Sequence, residues 1–270
     1  MMKRYVMGCA LALRVAALAH EIPAAPKGEA VFPEWRALSD PAAVQKSVVP
    51  MTGSLPAEWS ASGGYLRLPV NFAGTRHERV SWDIRLKADL RVAKGLAFDM
   101  YCPDLAPFSS FSVYFRSGGG WYHASFSPER AGCWQRIVID KADARIEGAG
   151  AGWGAVDAIR LSGWRSRDAD TVCAIANLGF AGGTPEALVV RADSNVAGSG
   201  DEGKAFGHYA ATVSATFDAL GVQSAQVADT DLAGELLAGV KLVVLPYNPR
   251  VPKEAAELLR EFVGRGGKLL

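Results

Sequence analysis

From Tyr65 to Phe180 apolar and polar positions alternate with period two. Leu66, Leu68, Val70 and Phe72 are separated by Arg67, Pro69 and Asn71, and Val80, Trp82, Ile84 and Leu86 by Ser81, Asp83 and Arg85. Such alternation marks a strand with one buried face. Leu96, Phe98 and Met100 repeat it, as do Phe111, Val113 and Phe115. Gly118-Gly119-Gly120 then predicts a turn into Tyr122, Ala124 and Phe126. Further runs cover Trp134 to Ile139, Ala158 to Leu161 and Thr171 to Leu178. Short strands punctuated by Gly, Pro and Asp, with no long amphipathic helix, predict an antiparallel β-sandwich or jelly roll over 61–183. Trp82 and Trp134 fall on the core parity of their strands. Residues 20–60, with Trp35 and Trp59 among prolines and alanines, predict a lead-in that adds an edge strand.

At Gly182-Gly183-Thr184-Pro185 the period changes. Ala187 to Arg191 reads as a short apolar strand. Phe206, Tyr209, Ala210, Val213, Phe217 and Leu220 recur at helical spacing, and Gly221 offers a C-terminal cap. A second strand follows at Gln223 to Ala228, a brief helix at Leu232 to Leu237, and a fully apolar strand at Val240 to Leu245. Pro252 opens a helix carrying Ala255, Leu258, Leu259, Phe262 and Val263, and Lys268 starts a fourth strand. Strand–helix alternation with apolar strands predicts a parallel sheet of flavodoxin-like kind over 184–270. A sheet cut as its fourth strand begins would leave an open edge, so the pattern predicts a longer natural protein.

The chain has 270 residues, 49% of them hydrophobic, and 29 basic against 28 acidic residues leave a net charge of +1. That balance offers no field to attract nucleic acid or an anionic membrane. Lys3 and Arg4, the apolar run from Val6 to Ala19 and the small-x-small Ala17-Leu18-Ala19 predict a signal peptide over 1–19. The run is shorter than the ~20 residues that cross a bilayer, and the alternative is a buried N-terminal helix. Export to a secreted or periplasmic location, with no membrane attachment after cleavage, is the expectation. Cys102, Cys133 and Cys173 then remain, enough for one bridge, and a Cys133–Cys173 pair is possible but not decided by spacing. The four histidines are scattered and no CxxC or HExxH occurs, which argues against zinc.

Candidate chemistry is sparse. Gly198, Gly200 and Gly203 spell G-x-G-x-x-G before a helix, with Asp229 ending the next strand. The glycines do not follow the strand directly, and Asp201 and Glu202 would repel phosphate, so a polar loop is the expected role. Aromatic rings bind sugars by offering a flat apolar face while polar neighbours take the hydroxyls. Trp121, Tyr122 and His123 beside the glycine turn would suit this, as would Trp164 and Arg165. The competing reading makes Trp121 and Trp164 caps on the sandwich core. Asp168 and Asp170 are candidates for a structural calcium, and no other cofactor is expected. No carboxylate pair stands out for glycoside hydrolysis.

The stretch from Trp82 to Phe180 resembles galactose-binding-like β-sandwiches, modules of secreted bacterial polysaccharide-degrading proteins. The likeness is carried by Trp121-Tyr122-His123, by the run from Trp134 to Lys141, by Gly152-Trp153, by the run from Ile159 to Arg165 and by Ala176-Asn177-Leu178-Gly179. Ala187 to Leu270 is similar to the first half of a class I glutamine-amidotransferase-like domain, on Leu242-Val243-Val244-Leu245-Pro246 and Gly266-Gly267-Lys268-Leu269. No Cys follows Cys173, so no amidotransferase nucleophile carries over. These resemblances imply a secreted accessory protein with a glycan or polysaccharide as partner. The alternatives are an enzyme, hydrolase or amidotransferase-like, whose active site lies beyond residue 270, and an oligomerisation module acting through the α/β part.

Overall fold

The computed structural model describes residues 21–28, 32, 35, 37, 38, 41–51, 53–182, 185–197, 199, 200 and 202–270. The expected signal peptide, Gly183 and Thr184 at the expected junction, and Gly198 of the glycine motif lie outside them.

Two antiparallel sheets are built from ten strands: β1 (Val48–Pro50), β2 (Glu58–Ser60), β3 (Tyr65–Val70), β4 (Arg79–Ala88), β5 (Gly95–Tyr101), β6 (Phe108–Phe126), β7 (Gln135–Asp140), β8 (Arg145–Gly150), β9 (Val156–Arg165) and β10 (Thr171–Ala181). Sheet A runs β1-β4-β9-β6-β8 and sheet B runs β2-β3-β10-β5-β7. The alternating residues of both face inward. Phe72, Phe98, Phe115, Leu66, Leu68, Leu96, Met100, Ile159 and Ile175 are all fully buried in one continuous core. Each such side chain contributes roughly 1.5–3 kcal/mol on leaving water. The lead-in gives an edge strand to each sheet, β1 to sheet A and β2 to sheet B. Helix α1 (Pro41–Ser47) and Trp35, which meets Trp59 edge-on at 6.1 Å, close that end.

Strand β6 is not straight. At ~3.3 Å per residue, Phe111 and Phe126 on one extended strand would lie about 50 Å apart. Their ring centroids are 5.5 Å apart, and those of Tyr114 and His123 are 5.2 Å apart. The chain therefore doubles back at Gly118-Gly119-Gly120, where Gly118 has φ +59°, the left-handed backbone that a two-residue hairpin loop needs. The first arm pairs with β9 and the second with β8.

Trp82 lies in the core with its indole N–H on Leu55 O at 2.8 Å. Trp134 does not. It precedes β7, rests on Tyr65 and Tyr101 outside sheet B, and donates to Pro23 O at 3.0 Å. Its parity is that of the exposed Arg136 and Val138, whereas Ile137 and Ile139 are the residues that point into the core, so alternation read from the isoleucines places Trp134 on the outward face.

The C-terminal part holds β11 (Ala187–Arg191), α2 (Glu202–Ala219), β12 (Ser224–Ala228), β13 (Leu242–Val244), α3 (Lys253–Gly264) and β14 (Lys268–Leu269). These strands form a parallel sheet C, ordered β12-β11-β13-β14. Its core of Leu188, Val190, Val227, Val243, Leu259 and Phe262 is separate from that of the sandwich. Helix α2 ends on Gly221 (φ +70°), with Val222 N–H returning to Phe217 O at 2.9 Å, a Schellman closure.

Candidate functional site

Pairing in sheet A places side chains in rows on its outward face. Arg79 lies opposite Trp164 and Trp164 opposite Ser110; Ser81, Ser162 and Ser112 form the next row; Asp83, Arg160 and Tyr114 the third; Arg85, Ala158 and Arg116 the fourth. The hairpin continues these rows. Tyr114 stacks on His123, and Arg116 sits 5.9 Å from the Trp121 ring centre. Strand β8 adds Arg145 opposite His123 and Glu147 opposite Trp121.

Polar contacts fix the rings. Trp164 Nε1 donates to Ser112 Oγ at 3.0 Å while Arg79 lies over its ring at 4.9 Å. Arg160 lies over Trp121 at 4.3 Å and is gripped by Asp83 through Nε at 2.6 Å and Nη2 at 2.9 Å. Such cation–π contacts contribute ~0.5–1 kcal/mol each at exposed sites. Arg116 donates to Asp157 at 2.6 Å, a bond that raises its already high pKa. His123 Nδ1 stands 3.2 Å from Glu147 Oε1. Trp121 and Trp164 are half-buried, outside the sandwich core, so neither caps it. The face offers flat rings edged by guanidinium and hydroxyl groups, which suits a flat polar ligand with apolar ring faces.

Trp121, His123 and Trp164 thus share one face. Tyr122 and Arg165 do not, because neighbours on a strand point to opposite sides. Tyr122 stacks on Trp153 at 4.3 Å and its hydroxyl accepts from Gly152 N–H; burial raises its pKa. Arg165 donates to Thr75 O at 2.6 Å and pairs with Asp168 at 3.2 Å. Asp168 and Asp170 accept the N–H groups of Gly74 and Ala73 at 2.8 and 2.7 Å, latching the β3–β4 loop. The groups they meet, two backbone N–H groups and the Arg165 guanidinium, are donors, where a calcium site would gather further oxygens. Among the described residues no cluster of three or more His, Cys, Asp or Glu is arranged to hold a metal. Asp229 is likewise engaged, accepting from Ser194 N–H at 2.9 Å and from its hydroxyl at 2.5 Å. Tyr114, Arg79, Arg116 and Arg160 were not singled out from sequence; only cross-strand register brings them together.

No protein-family model matches the chain, and no curated protein matches it. Solved structures similar to part of it include the family 11 carbohydrate-binding module of Clostridium thermocellum Lic26A-Cel5E. That match is 14% identical with a TM-score of 0.35, over 50% of this chain and 86% of that one. A non-crystalline-cellulose-specific module, CBM28, is 15% identical with a TM-score of 0.36, over 60% and 100%. An agarase, AgWH50C, is 13% identical with a TM-score of 0.38, over 54% of this chain. The match spans 26% of the agarase's length.

Proposed function

We propose that this chain is a carbohydrate-binding accessory protein whose sandwich takes glycan on the outward face of sheet A. The supporting observation is the clustering of Trp121, Trp164, Tyr114 and His123 with Arg79, Arg116 and Arg160 on that face. The sandwich is then of the galactose-binding-like kind, covering 61–183, with residues 184–270 a flavodoxin-like, amidotransferase-like unit. The strand order β12-β11-β13-β14 favours this, since it is the 2-1-3-4 start of that topology. Export follows from the same reading, because polysaccharides are met outside the cell. Trp121 and Trp164 contact sugar ring faces, and the arginines donate to hydroxyls.

The test is a glycan array on the full chain, followed by titration of the bound glycan against Trp121→Ala and Trp164→Ala. Each variant is expected to bind at least about fivefold more weakly, corresponding to ~1 kcal/mol, with a melting temperature near the parent's. A parent that binds no glycan, or variants that melt early with affinity unchanged, would sink the reading.

A further inference from the structure

The outward face of an antiparallel sheet is ordinarily polar. On sheet B it carries a second apolar cluster of Tyr65, Tyr101, Ala174 and Ala176, with Trp134 packed against it. Residues 21–28 lie across this cluster without helix or strand structure. Three side chains donate to main-chain carbonyls of that one segment. Tyr65 Oη reaches Ile22 O at 3.3 Å, Trp134 Nε1 reaches Pro23 O at 3.0 Å and Asn177 Nδ2 reaches Pro26 O at 2.9 Å. In return Ala25 N–H donates to Gly63 O at 2.8 Å.

The segment meets the sheet with period three. Ile22 and Ala25 pack on the cluster, and at Gly28 a Cβ would stand 2.6 Å from the Asn177 amide carbon. Glu21, Pro23, Ala24, Pro26 and Lys27 are exposed, and Gly28 is exposed apart from its approach to Asn177. Three residues per turn is the repeat of the polyproline II helix, which has no internal hydrogen bonds and leaves its carbonyls free. Pro23 and Pro26 bring no N–H that burial could orphan. The receiving side is braced. Asn177 holds φ +50°, unusual for a non-glycine residue, and also donates to Asp99 at 2.6 Å, while Arg136 bonds Asp99 and Asn177 O at 3.3 and 3.2 Å.

We propose that the outward face of sheet B is a docking groove for an extended Pro-x-x-Pro peptide, and that residues 21–28 are its resident ligand. Aromatic rings flanked by donors aimed at carbonyls are how proline-rich segments are read. A sugar would need these donors to meet hydroxyls, whereas all three meet peptide carbonyls. This groove is separate from sheet A, so its fate is independent of the glycan reading.

The test uses the full chain with Ile22→Asp and Ala25→Asp, which sets two charges against the cluster. The probe is the Trp134 indole N–H resonance, assigned by its loss in Trp134→Phe. The double variant is expected to shift that resonance, and a synthetic peptide of residues 21–28 should return it to the parent position saturably. The same peptide with glycine at both proline positions should bind at least tenfold more weakly. An unmoved resonance, a peptide that does not restore it, or restoration by cellohexaose instead would overturn the proposal, the last by assigning the face to sugars. If the double variant loses the parent's cooperative melt, Ile22→Ser takes its place with the same outcomes.

Discussion

Cys102 and Cys173 lie in the sandwich core with their sulfurs 3.6 Å apart, while Cys133 is half-exposed. Burial, then the bond to Cys102, raises the Cys173 thiol pKa, which keeps it protonated. In oxidising solution we expect a Cys102–Cys173 bridge with Cys133 free, closing a span of 71 residues. The gain is about 4 kcal/mol on a loop-entropy account. Peptide mapping of oxidised protein checks it, and a bridge through Cys133 is the refuting result. Sequence left a Cys133–Cys173 pair open because nothing in spacing reveals that Cys102 extends from β5, the strand paired with β10. The same limit applies to Tyr122. Read as part of a Trp-Tyr-His triplet it looked like a contact residue, yet strand parity alone assigns it to the opposite face from Trp121 and His123. Tyr122→Ala should therefore lower the melting temperature more than Trp121→Ala does.

Among the elements, the β6 hairpin decides whether the sheet A rows form. Gly118 sits at φ +59°, and a Cβ there would meet the Ala151 Cβ at 2.7 Å. Gly118→Val should cost about 1–3 kcal/mol in strain, visible as a lower urea midpoint. The glycine run made this turn legible, and alternation made β3, β4 and β5 legible. Strand β8 was not, because Arg145–Gly150 is exposed except at Gly150 and its apolar pattern is lost to glycines. Its existence depends on pairing with the hairpin's second arm, a long-range condition. The β3–β4 loop gives another check. Since Asp168 and Asp170 already accept backbone N–H groups, a chelator should leave the melt unchanged, whereas Asp170→Ala should cost about 1–3 kcal/mol through the orphaned Ala73 N–H. A melt lowered by chelation would restore the calcium reading.

At the scale of the whole molecule, the sandwich and the α/β part meet around the turn between β4 and β5. Val92 packs on the core of the α/β part, Arg91 reaches Glu235 at 3.3 Å and Lys94 reaches Asp218 at 2.7 Å. Beneath them Lys141 is buried, its Nζ donating to Leu90 O at 2.8 Å and Arg91 O at 2.5 Å. Burial, then nearby Arg191, lowers its pKa from 10.5 to about 7, against the opposing pull of Asp140, Asp89 and Asp231. The folded state thus disfavours the charged amine. Between pH 7 and 10.5 the unfolded chain holds one proton more, so stability should rise with pH by at most about 1.4 kcal/mol per unit. Below pH 7 the amine is charged in both states and the destabilisation is complete. Urea midpoints across that range should show the slope, and Lys141→Met should remove it. Val92→Asp should split a single calorimetric transition into two. One transition in that variant would mean that the two cores do not melt separately. Period-two and helical patterning disclosed both cores, but not this contact, because it joins the short turn holding Arg91, Val92 and Lys94 to Asp218 on helix α2 and to Glu235, residues far apart in sequence that no local period links.

The bed for residues 21–28 and the rows around Trp121 lie on opposite sides of a sandwich whose sheets stack ~10 Å apart. Immobilisation through that segment, by a tag or a surface linker, would hold the protein with sheet A turned toward bulk solution. The choice of tether therefore sets which face a biosensor or an affinity resin can sample.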